Sequence, residues 1–178
     1  MLSMDEYAAV APNRPKVAGL SPEKNIELQM AYEDAKIKAQ RIDWEDVLVL
    51  TLGLLRSEPR ALAHVHQQYR FFTVDEYQDI SPLQHALLDV WLGDRSELCV
   101  VGDPNQTIYS FTGASPDFLV NFRNEFKDAS HIELVNCYRC AEPIVAAANA
   151  VIAQSNTPAS LQLRAVRSGG VKPVVKSY

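Results

Sequence analysis

Three short apolar runs, Phe71–Val74, Leu98–Val101 and His131–Val135, are each followed at once by polar or acidic residues, and helix-forming segments lie between them. This rhythm restricts the chain more than any other feature, because alternating strands and helices imply parallel strands joined by crossover helices. Ser81-Pro82 and Ser115-Pro116 each place a capping hydroxyl before a proline at the first helical position, which predicts helices through about Trp91 and over Phe118–Phe126. The Ala- and Ile-rich stretch 141–153 predicts a third helix. Strands 70–74, 98–101 and 131–135 are therefore expected in one parallel sheet. Ligands in such sheets bind beyond the carboxyl ends of the strands. Asp75-Glu76, Gly102-Asp103 and the Asn136–Arg139 loop would then meet along one edge.

Upstream, the pattern is helical. Ser21-Pro22-Glu23 is a helix start, and Ile26, Met30 and Ile37 share one face among many charges, as in a mostly exposed helix to about residue 41. Asp43, with Asp46 three residues on, caps a second helix whose apolar stripe is Val47, Leu48, Leu50, Leu54 and Leu55. Pro59 interrupts, and a short helix is expected to about Gln68. Residues 1–20 read as loop, 154–170 as a linker, and Val171–Tyr178 as the beginning of a strand. There is no internal repeat and no low-complexity tract.

Charge is unevenly spread. Residues 71–142 hold 4 basic and 12 acidic residues, an odd surface for a DNA binder relying on electrostatics alone. The same acidity suits a site that collects magnesium and orients phosphates. No apolar run approaches a membrane span, the N-terminus does not read as a signal peptide, and three cysteines are too few for a disulfide framework. A cytoplasmic setting is expected, with no membrane partner.

Three constellations carry chemistry. Asp75-Glu76 directly follows an apolar strand, where a carboxylate can hold hydrated magnesium and its neighbour can take a proton from an attacking water. As an isolated pair it equally suits a turn or helix cap. The run from Gly102 to Ala114 contains Gln106, whose amide both donates and accepts and can orient water or meet a γ-phosphate. It also holds Tyr109 and Phe111, whose rings would face one way in an extended chain and stack on single-stranded bases if exposed, or fill a core if not. Tyr138-Arg139 joins a ring suited to a nucleobase with a guanidinium suited to phosphate, or to a surface ion pair.

Val74-Asp75-Glu76-Tyr77-Gln78-Asp79, Val100-Val101-Gly102-Asp103 continuing to Gln106-Thr107-Ile108-Tyr109, and Tyr138-Arg139 resemble, in order and spacing, motifs II, III and IV of the UvrD/Rep/PcrA-type superfamily 1 DNA helicases. Asp43-Trp44-Glu45-Asp46-Val47-Leu48 adds to the likeness, which runs from about residue 23 to 155. The resemblance implies a partial RecA-like P-loop NTPase motor domain preceded by the remnant of an inserted helical subdomain. Its expected divisions are residues 1–42 for the remnant, 43–155 for the second half of the first motor domain, and 156–178 for a linker and the start of a second motor domain. It implies that ATP hydrolysis drives translocation on single-stranded DNA, usually 3′ to 5′, and unwinding of duplex DNA in repair or replication.

For this chain the family's roles fall on the matching residues. Asp75 and Glu76 would hold Mg2+, with Glu76 activating water. Gln78 and Gln106 would link phosphate state to movement, Gln106 lying near the γ-phosphate. Tyr109 and Phe111 would contact single-stranded DNA. Tyr138 would stack on adenine, and Arg139 would reach the γ-phosphate. Two positions depart from the pattern: Phe111-Thr112 stands where the family commonly has Trp then Arg, and Cys137 stands where it has Asn.

Cys137-Tyr138-Arg139-Cys140 supplies two of the four ligands of a structural zinc site, and no second pair exists. None of the seven glycines is followed by lysine, so the phosphate-cradling loop Gly-x-x-x-x-Gly-Lys-Ser/Thr is missing. The chain is therefore expected to be an internal piece of a larger helicase, inactive without the remainder of that chain. Two other classes are compatible with the residues: a non-catalytic, degenerate helicase module that binds DNA or protein, and a metal-dependent nuclease using Asp75, Glu76, Asp79 and Asp103. A helicase–nuclease relative would share the same motifs.

Overall fold

Three helix starts along this chain are fixed locally, where the side chains of Ser21, Asp43 and Ser81 satisfy the first free backbone amides. The computed structural model describes residues 19–154 and 161–176, so the expectations for residues 1–18, 155–160 and 177–178 lie outside the described residues. The chain divides into two compact units, one ending at Leu62 and the other beginning at Ala63.

In the first unit, Ser21 accepts a hydrogen bond from the Lys24 amide at 3.3 Å and opens α1 (Pro22–Ala39), which has no buried residue. Asp43 and Asp46 form a reciprocal cap, each carboxylate accepting the other's backbone N–H at 2.9 and 3.0 Å, and so start α2 (Trp44–Ser57). Lys36 on α1 reaches Glu33, Asp43 and Asp46 at 3.0, 3.0 and 2.8 Å. Desolvation opposes its charge, but the three carboxylates outweigh that cost and hold its pKa above the ordinary value. Leu52 and Leu55 are the buried residues of α2. A third helix, α3 (Pro59–Gln68), contains the boundary between the units.

The second unit is built from two strand–helix–strand segments. β1 (Phe72–Val74) runs parallel to β2 (Leu98–Val100), with Phe72 opposite Leu98 and Val74 opposite Val100. The crossover is α4 (Pro82–Leu92), capped reciprocally by Ser81 and Gln84. Tyr77, Ile80 and Leu88 form the buried cluster, against which Phe72, Val74, Leu98, Val100, Phe118, Leu119 and Phe122 pack. Arg95 clips two helix ends together. Its guanidinium donates to the carbonyls of Leu92 and Trp91 on α4 and to those of His66 and Tyr69 at the end of α3, where orphan carbonyls favour a cation.

The second segment consists of β3 (Asn136–Ala141), α7 (Glu142–Ile152) and β4 (Arg164–Arg167), with β3 parallel to β4. Asn149 on α7 fixes the approach to β4, its amide donating to Leu163 O at 2.8 Å and accepting Leu163 N at 3.1 Å. Two short helices, α5 (Asp117–Val120) and α6 (Phe122–Glu125), connect the segments. No helix among the described residues is long and apolar enough to cross a membrane.

Several expectations need correction. The described strands make two separate two-stranded sheets, not one sheet. Residues 131–135 form no strand; Ile132 and Leu134 are exposed, and pairing begins only where the Arg164 amide donates to Val135 O at 2.7 Å. An alternating apolar run marks an extended chain, but the strand it needs lies elsewhere. The expected 154–170 linker contains β4, residues 171–176 hold no strand, and the helix expected at 118–126 breaks at Asn121.

Candidate functional site

Parallel pairing carries the loops after β1 and β2 to the same sheet edge. Val101 N donates to Val74 O at 2.8 Å and Tyr77 N to Val101 O at 2.9 Å, which draws the two loops together beyond the strands. Asp75 leaves β1 exposed, and its Oδ1 accepts the Glu76 amide at 2.9 Å. Glu76 adopts a left-handed backbone, φ 53 and ψ 39, a conformation uncommon for a residue with a side chain. The chain thereby reverses into a short 3-10 turn, Tyr77–Asp79.

Gln78 is the centre of this edge. It is fully buried, and its amide is used from both ends. Nε2 donates to Glu76 Oε2 at 2.7 Å and to Asp79 Oδ2 at 3.3 Å, while Oε1 accepts the Asp103 amide at 3.1 Å. Only a side chain that donates and accepts at once meets these demands. Gly102 leaves room for it: a Cβ there would lie 2.5 Å from Gln78 Oε1.

Asp103 and Asp79 organise the loop after β2. Asp103 accepts from Asn105 N at 2.9 Å and from the Gln106 amide at 2.8 Å, closing the turn Pro104–Gln106. Asp79 Oδ1 accepts the backbone amides of Ile108 at 3.0 Å and Tyr109 at 3.3 Å. Glu76, Asp79, Asn105, Gln106, Ile108 and Tyr109 line an open hollow of about 530 Å³. Of the residues singled out by sequence, Glu76, Gln106 and Tyr109 thus line one hollow, with Asp75 next to Glu76 in the chain.

Tyr109 and Phe111 are both exposed, with ring centroids 6.0 Å apart. They are brought together by a 3-10 turn, Ser110–Thr112, rather than by the extended chain expected. Tyr138 and Arg139 are not in a loop after a third strand; they lie within β3, exposed, in the other sheet. Among the described residues no hydrogen bond or ion pair joins them to the Asp75–Gln106 group. Gln78 and Asp79 were legible as motif letters, but their structural parts, a buried amide hub and a loop anchor, carry no signal in a linear pattern.

Residues 6–127 match the family model for the UvrD/REP helicase N-terminal domain. The ATP-dependent DNA helicase UvrD2 of Mycobacterium tuberculosis is 36% identical over 179 residues, covering 97% of this chain and 26% of the relative. ATP-dependent DNA helicase PcrA of Leuconostoc citreum is 34% identical over 156 residues, covering 88% and 20%. DNA helicase II of Escherichia coli is 33% identical over 126 residues, covering 71% and 18%. The chain spans about a quarter or less of the length of these relatives. A family match over most of its length, which includes the Asp75–Asp79 and Gly102–Tyr109 segments that adjoin at one sheet edge, places the chain in the UvrD/REP helicase N-terminal domain family.

Proposed function

We propose that this chain supplies, to an ATP-dependent DNA helicase, the water-activating and phosphate-sensing half of the ATPase site together with part of the single-stranded DNA path. Residues 43–155 are then the second half of the first RecA-like motor domain, residues 1–42 the remnant of an inserted helical subdomain, and residues 156–178 a linker and the start of a second motor domain. The single observation behind this reading is the Gln78 amide, which bonds Glu76 on one side and Asp103 on the other. Through it the carboxylate beside the hydrolytic water and the turn holding Gln106 form one hydrogen-bonded unit.

The donor set suits Mg2+. Asp75 and Glu76 offer hard carboxylate oxygens, and Asp75 Oδ2 has no protein partner among the described residues. When bound, the ion would neutralise charge on the triphosphate. Glu76 takes the proton of the attacking water. Its left-handed backbone and its bond to Gln78 fix the direction of the carboxylate. Gln106, held by Asp103, meets the γ-phosphate. A change there reaches Tyr109 by a short route, because Asp79 touches Gln78 and also anchors the Tyr109 amide. Tyr109 and Phe111 stack on bases of single-stranded DNA. Tyr138 stacks on adenine and Arg139 reaches the γ-phosphate. The setting is cytoplasmic.

The test is Glu76→Gln in the full-length parent. The amide oxygen still accepts from Gln78, so the fold at the edge is kept while the base is lost. ATP turnover should fall about 10²–10⁴-fold with nucleotide binding largely intact. Near-normal turnover at saturating ATP and DNA would refute the role.

A further inference from the structure

Cys137 and Cys140 take no part in the reading above. Both are free, half-buried thiols on β3. Three residues apart in a regular strand they would stand about 10 Å apart, too far for a disulfide, which needs Cα atoms within about 7 Å. β3 is not regular. Cys137 lies opposite Ala165 and Ala141 opposite Arg167, so four steps on β3 are matched by two on β4. The stretch from Cys137 to Ala141 therefore advances only about 6.6 Å, the length of two strand residues, and the surplus bulges out. The bulge carries Tyr138 and Arg139 and is tied by Arg167 Nη1, which donates to Arg139 O at 2.9 Å.

We propose that Cys137 and Cys140 are a reversible dithiol–disulfide pair, oxidised by hydroperoxides, that sets the shape of the bulge carrying Tyr138 and Arg139. The Cys137 thiolate attacks a peroxide oxygen, giving a sulfenic acid and releasing water or an alcohol. The Cys140 sulfur then attacks the sulfenic sulfur, forming the S–S bond and expelling water. Two thiols are oxidised, one peroxide is reduced, and a dithiol reagent reverses the change. Cys137 is suited to attack first: the Cys140 backbone amide, joined by Arg139 and the Cys140 thiol, outweighs desolvation and holds its thiol below the ordinary value. A zinc site is disfavoured, since among the described residues no third ligand joins the pair. The chemistry belongs to the strand and does not depend on the ATPase reading.

The 178-residue chain is treated with one equivalent of hydrogen peroxide, blocked with iodoacetamide and mapped by peptide mass. Cys99, exposed and alone on β2, is the internal control. The expected product is an intramolecular Cys137–Cys140 disulfide with Cys99 still alkylatable. Hydrogen exchange across 136–141 should change on oxidation and return with dithiothreitol. In the reduced chain Cys137 should alkylate about threefold or more faster than Cys99, since a gain in thiolate fraction is partly offset by weaker nucleophilicity. With Cys140→Ser, Cys137 should stop at a sulfenic acid trapped by dimedone. Disulfide-linked dimers through Cys99, or oxidation of Cys137 and Cys140 no faster than Cys99, would overturn the proposal. So would a disulfide that leaves exchange across 136–141 unchanged.

Discussion

Replacing Gly102 with alanine tests whether the Gln78 hub is the tightest point of the molecule. The new Cβ would stand 2.5 Å from Gln78 Oε1, 2.9 Å from Leu119 Cδ2 and 3.2 Å from Tyr77 N. The Leu119 methyl is a flexible end and yields cheaply. Tyr77 N is held by its bond to Val101 O, so the Gln78 amide must retreat. Retreat breaks the 3.1 Å bond to the Asp103 amide. A part-buried donor left without a partner costs about 1–3 kcal/mol, and overpacking adds about 1–3 kcal/mol; together the loss should be about 2–6 kcal/mol. Gln78→Ala loses the same bond and should cost a similar amount, but it also vacates the space the new methyl needs. The two changes should therefore not add: the double variant should be about 1–2 kcal/mol more stable than the sum of the singles predicts. Urea titrations followed by Trp91 fluorescence would measure this, in a background where exposed Trp44 is changed to phenylalanine. Strict additivity, or a cost below about 0.5 kcal/mol for Gly102→Ala, would refute the account of the hub.

Asp79→Ala should release the loop that holds Tyr109 and Phe111: hydrogen exchange over 107–113 should rise, with global stability falling by no more than about 1 kcal/mol, because the two loop bonds are exposed and Gln78 Nε2, which loses its long bond to Asp79, keeps its 2.7 Å bond to Glu76. Burial, reinforced by Glu125 and Asp89, pushes the Tyr77 hydroxyl from an ordinary 10.0 up to about 12. Folding thus favours the neutral phenol, so its contribution is full below pH 10 and drains away between 10 and about 12; an alkaline titration of the folding midpoint should show that loss, and Tyr77→Phe should remove it. The 178-residue chain alone should not hydrolyse ATP, since on the proposed reading Asp75, Glu76 and Asp103 would face the triphosphate and the sequence holds no Gly-x-x-x-x-Gly-Lys loop to offset them. Calorimetry and phosphate release with magnesium and single-stranded DNA would check this, and DNA-stimulated turnover abolished by Glu76→Gln would contradict it.

What the sequence disclosed was local or carried by a motif. Ser21, Asp43 and Ser81 cap helices because their side chains reach amides three residues on, a rule that needs no knowledge of the rest of the fold. β1 and β2 were legible because each is a short apolar run closed by acidic or glycine residues, and the site at their ends followed from parallel pairing. β3 was misplaced because the apolar run ends where the strand begins, and its partner, Arg164–Arg167, is polar enough to read as linker. A left-handed Glu76 and a buried Gln78 were illegible for a different reason. Both break the local preference of their residue type, and only the surrounding hydrogen bonds make them the best available arrangement.

Arg95 has a consequence for genetics. Every acceptor of its guanidinium is a main-chain carbonyl, from Leu92, Trp91, His66 and Tyr69. An arginine paired with a carboxylate can lose its partner to mutation and regain one by a second change nearby. Among the described residues no carboxylate pairs with this one, and its one side-chain neighbour is the uncharged Phe72 ring, 5.9 Å away. A selection for suppressors of Arg95→Ala should therefore return Arg95 revertants or distant stabilising changes, and no compensating charge on the facing helices.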